Sequence, residues 1–483
     1  MEQMNVFDML YKKYTPKKEK KLIELFAGMG SQSQSFKYLG IDHINHKIVE
    51  WAIPSIIAYY QIHCKNKKDY SQTLNKEQIA NFLFKKGVSK DYNKPATLDQ
   101  IKRTKEETLR ECYNAIISTN NLVNIMAING NDLDIKETNK YEYIMTYSFP
   151  CQDLSLAGNR KGMSKDSQTR SGLLWEVERL LKETKELPQI LLMENVPQVI
   201  GQENIKDFNN WQLELEKMAY KNYTQNLIAT DYCIPQIRNR TFMISILGDY
   251  IYNFPQAINL KNKLKDFLES KVDESYYLSS KQIEDVQNWN AYQKPLKDIE
   301  KEKEVSPTLT TRTGAYAAGM ILVNEYKGTY NHTASDNFMN GRDRFKENRE
   351  EIGTILTQPK ESIVEYGSYY TLKDKKGNIN TQCNRAANEE KNALTIACSE
   401  TGKVYENKLR IRKLTPKECF RLMGWKDKDY EKLKLSKNQK YHIAGDSIVT
   451  TVLMAIFGKL YNIDYENKIK NLVEEIKENK TND

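Results

Sequence analysis

Three short strings place reactive side chains at the ends of apolar runs. The first, Ser148-Phe149-Pro150-Cys151-Gln152, follows residues 143–147, which read as a strand. A cysteine leaving a sheet on a loop of small and polar residues is exposed, unlike most thiols, and a thiol that ionises there is a nucleophile. The second, Glu194-Asn195-Val196, ends the apolar run 190–193. A carboxylate at that point either caps a helix or stands at the carboxyl edge of a sheet, where open α/β folds gather ligands. The third is Pro235-Gln236-Ile237-Arg238-Asn239-Arg240. Side chains alternate along an extended chain, so Gln236, Arg238 and Arg240 share a face, either as a solvated basic ladder or as fixed donors for developing negative charge.

A second group of residues suits a nucleotide. Phe26-Ala27-Gly28-Met29-Gly30 lies between a strand and a helix, a turn in which backbone approaches a ligand closely. Ser33 stands where a dinucleotide fingerprint has its third glycine, so the turn also reads as an ordinary tight turn. Glu50 lies 20 residues past Gly30, at the end of the next strand, where a carboxylate reaches a pair of ribose hydroxyls. Trp51 either stacks on an adenine or packs between strand and helix. Asn131-Asp132-Leu133, at the end of a third strand, offers a polar contact and an apolar shelf to the same base. A nicotinamide dehydrogenase and a methyltransferase both fit these residues.

The elements that must position them alternate. Strands at 22–26 and 47–50, with helices at about 31–39 and 55–63, predict a parallel sheet with covering helices. Residues 64–122 break the rhythm with Lys-rich, helical-pattern sequence and read as an inserted helical hairpin or cap. Strands at 123–128, 143–147 and 190–193 and helices at 172–185 and 209–221 follow, then a hairpin of 225–230 and 240–246. From 251 to 405 short β-like pieces rich in Asn, Thr, Gly and Tyr replace the alternation; 414–425 and 442–461 are helical and apolar again. The tail from 466 is charged and reads as frayed helix or disordered chain.

Composition sets outer limits. The 483 residues, 39% of them hydrophobic, suffice for two domains, and a net charge of +9 is compatible with a polyanionic partner. Cys64, Cys112, Cys151, Cys233, Cys383, Cys398 and Cys419 form no CxxC pair, and with five histidines a structural metal site is not expected. Scattered thiols in odd number suit a reducing compartment. No apolar run in the sequence approaches the roughly 18 residues that span a bilayer.

The strings together, in this order, resemble the cytosine-5 DNA methyltransferase family, of bacterial or phage type: Phe26-Ala27-Gly28-Met29-Gly30, Glu50-Trp51, Pro150-Cys151-Gln152, Glu194-Asn195-Val196, and Gln236, Arg238 and Arg240 in alternation. Arg412-Lys413-Leu414-Thr415-Pro416-Lys417-Glu418-Cys419 and Gly445-Asp446-Ser447 follow. A dehydrogenase explains none of the last five. The resemblance implies a doubly wound, mostly parallel α/β sheet, the S-adenosylmethionine-dependent methyltransferase fold, with a smaller irregular, β-rich target-recognition domain. It implies methyl transfer from S-adenosylmethionine to carbon 5 of a flipped-out cytosine in a specific DNA sequence. Cys151 would be the nucleophile, with Glu194, Arg238 and Arg240 around the base. Cofactor contacts would come from Phe26, Ala27, Gly28, Met29, Gly30, Glu50, Trp51, Asp132, Leu133, Pro150, Leu174, Asp446 and Ser447. DNA contacts would come from Gln152, Ser155, Arg160, Lys161, Arg170, Gln236 and Arg312, with 153–171 as a closing loop. Thr415-Pro416-Lys417-Glu418 has capping-box spacing and starts a helix.

Three positions depart from the family pattern. Cys233 replaces the usual glycine before Pro-Gln, Asp446 replaces the usual asparagine of Gly-Asn-Ser, and the 64–122 insertion is longer than in compact members. The expected organisation is a basic arm (1–21), a catalytic and cofactor domain (22–250), a target-recognition domain (251–405), a return completing the catalytic domain (406–465) and a charged tail (466–483). Duplex DNA is the expected partner of a cytoplasmic, nucleoid-associated monomer without metal or membrane, and a cognate restriction endonuclease is compatible with that reading. Methylation of RNA and a DNA-binding regulator without catalysis are the alternatives.

Overall fold

Six apolar runs pair into one sheet. In the computed structural model they are β1 (Glu19–Leu25), β2 (His43–Val49), β3 (Tyr141–Tyr147), β4 (Ile190–Asn195), β5 (Tyr220–Ile228) and β6 (Asn239–Leu247), in the spatial order β2-β1-β3-β4-β6-β5. The residues described are 12–14, 18–150, 163, 171–258, 262–277, 279, 306–309, 318–323, 329–331, 362–366, 369–373 and 410–478. β1 runs parallel to β2 and β3, and β3 parallel to β4, while β6 is antiparallel to both β4 and β5. The chain therefore leaves β1 towards one side of the sheet and comes back on the other. The crevice this opens at the carboxyl ends is where such folds bind ligands.

The helices are α1 (Ser31–Leu39), α2 (Ile53–His63), α3 (Lys76–Lys86), α4 (Leu98–Lys102), α5 (Glu106–Ser118), α6 (Leu174–Glu183), α7 (Ile205–Lys217), α8 (Pro416–Arg421), α9 (Lys437–Asp446), α10 (Thr450–Leu460) and α11 (Tyr465–Glu478). Alternation along the strands divides the core into two layers. Leu22, Ile144, Ile190 and Ile244 join Phe36 of α1, Leu453 and Phe457 of α10 and Leu472 of α11. Ile23, Met145, Leu191 and Met243 join Leu180 of α6 and Trp211 of α7 on the opposite face. The sheet is thus covered on both sides, and one cover comes from the far end of the chain.

The 64–122 insertion is a helical cap with a core of its own. Asn75 with Gln78 and Thr97 with Gln100 form reciprocal caps that start α3 and α4. Ile79, Leu83, Ile101, Leu109 and Ile116 bury themselves against Ile53, Ile56 and Tyr60 of α2. The cap is thereby fastened to the helix that follows Glu50.

In the region after 251, β7 (Ala318–Val323) pairs antiparallel with β8 (Thr329–Asn331) and with β11 (Arg410–Lys413), and β9 (Ser362–Tyr366) with β10 (Tyr369–Lys373). Ser306–Pro307 lies parallel to Gln236–Ile237, and Leu309 is buried in the main core. Arg312, Asn384 and Arg385 lie outside the described residues.

Several expectations need correction. Residues 123–128 form no strand: Asn124 accepts the Met126 amide with its side chain, and Ile125–Ala127 is a 3-10 turn. A local side-chain bond outcompetes the ladder there, which touches the sheet at a single bridge, Ile48 with Asn121. The basic arm is partly sheet, since β1 begins at Glu19 and Lys12–Lys13 pairs with Tyr250–Ile251. The stretch read as a charged tail is α11, whose Ile469, Leu472, Val473 and Ile476 are spaced as one helical face and buried. Gly458 admits it closely, for a Cβ there would stand 2.4 Å from that of Tyr465. Residues Lys437–Leu460 do reach the length and apolarity of a membrane span, contrary to the expectation, but 89% of the apolar window is buried inside the protein.

Because α11 packs on α10 and α1, Ile469→Ala should lower the unfolding midpoint, at a cost of about 2–4 kcal/mol for a buried large-to-small change. The exposed neighbour Lys470→Ala should leave it within about 0.5 kcal/mol. Equal midpoints for both variants in a thermal or urea melt would remove α11 from the core.

Candidate active site

The glycine turn hangs from the end of β1. Phe26, Gly28 and Gly30 all have positive φ, 58°, 55° and 82°, so the chain winds tightly before α1 begins. A Cβ on Gly30 would lie 2.4 Å from His63 Nε2 and 2.6 Å from Tyr59, whereas one on Gly28 would meet nothing within 4 Å. Gly30 is thus small because α2 packs beneath it, and Gly28 because its face of the turn lies open. Ala27 and Met29 are buried and Phe26 is half-buried.

Beneath the turn lies a buried polar cluster that the sequence reading missed. His63 Nε2 meets the Met29 carbonyl at 2.9 Å and its Nδ1 meets Lys37 Nζ at 2.7 Å. Lys37 can only donate, so the ring accepts at Nδ1 and donates from Nε2 to the turn. Burial and the Lys37 charge hold this imidazole well below its ordinary pKa. Glu24, wholly buried on β1, accepts from Tyr59 at 2.5 Å and from the Ser33 amide at 3.3 Å, and burial lifts its carboxyl to about 7.

Glu50 ends β2 as expected. Its two oxygens accept the amides of Gly28 at 2.9 Å and Ala52 at 2.7 Å, so the carboxyl ties the glycine turn to the start of α2. Burial, followed by the nearby charge of Asp446, raises it to about 7 against the lowering effect of those amides. Asn121, from the end of the insertion, clamps the Glu50 backbone in both directions, at 3.1 and 2.9 Å. Nothing local in the sequence marks that asparagine. Asp446, at the end of α9, also comes within 3.1 Å of His442, and Ser447 is buried. The two far-separated acids therefore meet at one site.

The remaining expected contacts are more structural. Trp51 is half-buried against the insertion core. Asp132 caps its own turn through the Asn129 amide at 2.8 Å, and Leu133 and Leu174 are wholly buried. An open glycine turn with an acid beside it fits an adenosyl ribose, whose hydroxyls can donate to Glu50.

At the other end of the sheet edge, Glu194 on β4 and Arg240 on β6 form an ion pair, Nε to Oε1 at 3.2 Å, both side chains largely buried. The antiparallel pairing of β4 with β6 sets the two strand ends side by side. Asn195, beside Glu194, donates to the Phe149 carbonyl at 3.0 Å and so anchors the backbone two residues before Cys151. Pro150 is half-buried. Cys151 itself, Gln152, Ser155, Arg160, Lys161 and Arg170 lie outside the described residues.

Gln236, Arg238 and Arg240 do not form one ladder. Gln236 is buried, giving its amide to the Leu422 carbonyl at 2.7 Å and accepting the Leu309 amide at 3.0 Å. Its expected DNA contact is therefore corrected to a core brace. Arg238 is buried too and donates to the carbonyls of Leu309, Gly445 and Ser447 at 2.8, 3.0 and 2.8 Å. These bonds tie the strand start to the C-terminal return. The bend at Cys233, φ 65°, explains why glycine is usual there.

The family of C-5 cytosine-specific DNA methylases matches residues 100–462. The chain belongs to that family. The methylase is 37% identical over 270 residues to the orphan methyltransferase M.SssI of Spiroplasma monobiae, covering 54% of this chain and 68% of that one. It is 27% identical over 447 residues to the type II methyltransferase M2.ScrFI of Lactococcus lactis subsp. cremoris, covering 91% and 99%. Its fold resembles that of the Entamoeba histolytica methyltransferase EhMeth, with a TM-score of 0.51 and 16% identity over 92% of this chain and 99% of that one. The Dnmt2 methyltransferase of S. pombe has the same fold, with a TM-score of 0.50 and 16% identity over 92% and 98%. The methylase is a DNA (cytosine-5-)-methyltransferase, and its family uses S-adenosylmethionine.

Glu24 and Glu50 take up protons on folding, because each is raised from 4.5 to about 7. Such a group stabilises the fold most below the unfolded value, and that contribution is lost as pH rises through the folded value. Glu50→Gln should therefore flatten the decline of the unfolding midpoint between about pH 5 and pH 8. A slope identical to that of the unaltered methylase would contradict a Glu50 protonated near neutrality.

Proposed function

We propose that this methylase acts through a covalent adduct between Cys151 and carbon 6 of a cytosine swung out of duplex DNA. The observation that carries this reading is the Glu194–Arg240 pair, fixed at the carboxyl edge beside the backbone that leads to Cys151. Carbon 5 of cytosine is too weak a nucleophile by itself. A Cys151 thiolate forms the Sγ–C6 bond and the displaced π electrons make carbon 5 an enamine carbon. S-adenosylmethionine supplies the electrophilic methyl carbon. After transfer, the proton leaves carbon 5 to solvent or a bound water, the C5–H electrons re-form the C5=C6 double bond, and the Sγ–C6 pair departs on sulfur as the thiolate.

Thiol addition drives charge towards N3 and O2. Glu194 is placed to share a proton with N3 and accept from the 4-amino group, and Arg240 to donate to O2. Their mutual pairing keeps both poised before the base arrives. Glu50 and the glycine turn hold the adenosyl end. A cytosine inside a duplex hides carbon 6, so base flipping precedes the chemistry and costs a few kcal/mol.

The loop 153–171, with Ser155, Arg160, Lys161 and Arg170, is assigned to closing over DNA, and the region 251–405, with Arg312, to reading the sequence. Both type II and orphan relatives occur, which leaves a restriction endonuclease compatible with the protein but not required by it. A monomer acting in the cytoplasm, on the nucleoid, completes the reading.

Cys151→Ala should abolish methyl transfer to duplex DNA while retaining cofactor binding. DNA carrying 5-fluorocytosine at the methylated site, with the methyl donor, should trap the unaltered protein in a denaturation-resistant adduct that the variant does not form. Failure of the unaltered protein to form that adduct would sink the covalent route. Glu194→Gln should lower kcat by about 10²–10³-fold, measured by methyl incorporation at saturating DNA and donor.

A further inference from the structure

The 64–122 insertion does more than cover α2. Its loop between α3 and α4 is fastened to the strand end that bears Glu50. The Ser89 amide donates to the Trp51 carbonyl at 2.7 Å, and the Ile53 amide to the Ser89 carbonyl at 2.9 Å, one bond on either side of Ala52. The loop is also braced internally. Asp91 accepts the amides of Asn93 and Lys94 at 2.9 and 3.2 Å, and Ser89 donates its hydroxyl to the Lys94 carbonyl at 2.7 Å.

This bracing holds Tyr92 in a left-handed backbone conformation, φ 62°, that a bulky residue rarely adopts. Its ring lies on that of His442 in α9, with centroids 3.8 Å apart and planes tilted by 32°. The hydroxyl is buried near Ser55, Asp446 and Glu50, with Ser55 as a polar neighbour but no hydrogen bond of normal geometry to any described residue. A buried hydroxyl short of a well-formed hydrogen bond is unfavourable, and one held in place by a strained backbone and an aromatic stack calls for an account. The groups around it are those assigned to the cofactor: Glu50 from the end of β2 and Asp446 from the end of α9.

We propose that Tyr92 is a cofactor-binding residue. The insertion thereby supplies one wall of the S-adenosylmethionine site, and the Tyr92 hydroxyl hydrogen-bonds a polar group of the bound cofactor beside Glu50. This rests on the assignment of Glu50 to the cofactor site made above. The stack on His442 sets the ring, so the hydroxyl is in position before the ligand arrives.

Tyr92→Phe keeps the ring and removes only the hydroxyl. Calorimetric titration of the full-length variant with S-adenosylmethionine and, separately, with S-adenosylhomocysteine should show affinity weakened on the order of tenfold for each. The ligand-free variant should melt at or above the temperature of the unaltered protein, because a buried hydroxyl without a well-formed hydrogen bond has gone. Its ligand-induced rise in melting temperature should shrink. If Tyr92→Phe binds both ligands within about twofold of the unaltered protein while Glu50→Ala loses them, the hydroxyl is no part of the site and the proposal fails with the cofactor assignment intact. If Glu50→Ala also binds normally, the cofactor assignment fails and this proposal with it.

Discussion

The active-site architecture depends on one buried cation. Arg238 donates to Leu309, within the second region, and to Gly445 and Ser447, in the C-terminal return. A guanidinium taken out of water is costly unless its donors are met, and carbonyls from two remote segments meet them here. The arginine therefore specifies an arrangement as much as it stabilises one. Removing either segment would leave a buried charge short of partners. Gln236 reinforces the same junction through Leu422 and Leu309.

From that junction the two halves of the site follow. Two residues beyond Arg238, Arg240 reaches Glu194 across the β4–β6 pairing. One residue before Ser447, Asp446 reaches the neighbourhood of Glu50. The Glu50 and Glu194 ends of the proposed site are thus linked through the carbonyls that Arg238 holds. The cofactor end is a stack of buried polar layers: Glu50 under Gly28, His63 under Met29, and Glu24 under the first turn of α1. Each carboxyl there is satisfied by backbone amides or hydroxyls, which lets it remain buried without a cation as partner.

The C-terminal return explains why so long a chain forms a single catalytic core. α10 and α11 supply most of the apolar cover on one face of the sheet, together with α1. The segment Lys437–Leu460 is apolar enough for a bilayer because it lies between sheet and helices. Near α8, Arg412 and Glu418 pair at 2.6 Å with both side chains buried, and Glu418 also closes the capping box at Thr415. That string was read from its spacing as a helix start, and the packing adds a buried ion pair to the role.

Much of the site was legible in residue order. Glu50 and Glu194 stand at strand ends because apolar runs precede them, Arg240 begins a strand because an apolar run follows it, and Gly30 must be small because α2 packs beneath the turn. Those features are local, so spacing and side-chain chemistry determine them without reference to the rest of the chain. The doubly wound sheet was legible for the same reason, as alternating runs of strand and helix. Contacts across the chain were not. Gln236 and Arg238 look like a surface ladder until Leu309 and Gly445 arrive from more than 70 residues away. The helix α11 looks like a charged tail until its one apolar face packs on α10 and α1, and 123–128 looks like a strand until Asn124 caps it. Asn121, His63 and Tyr92 carry no motif at all. Their placement depends on which surfaces the insertion and the return bring together, and only tertiary packing decides that.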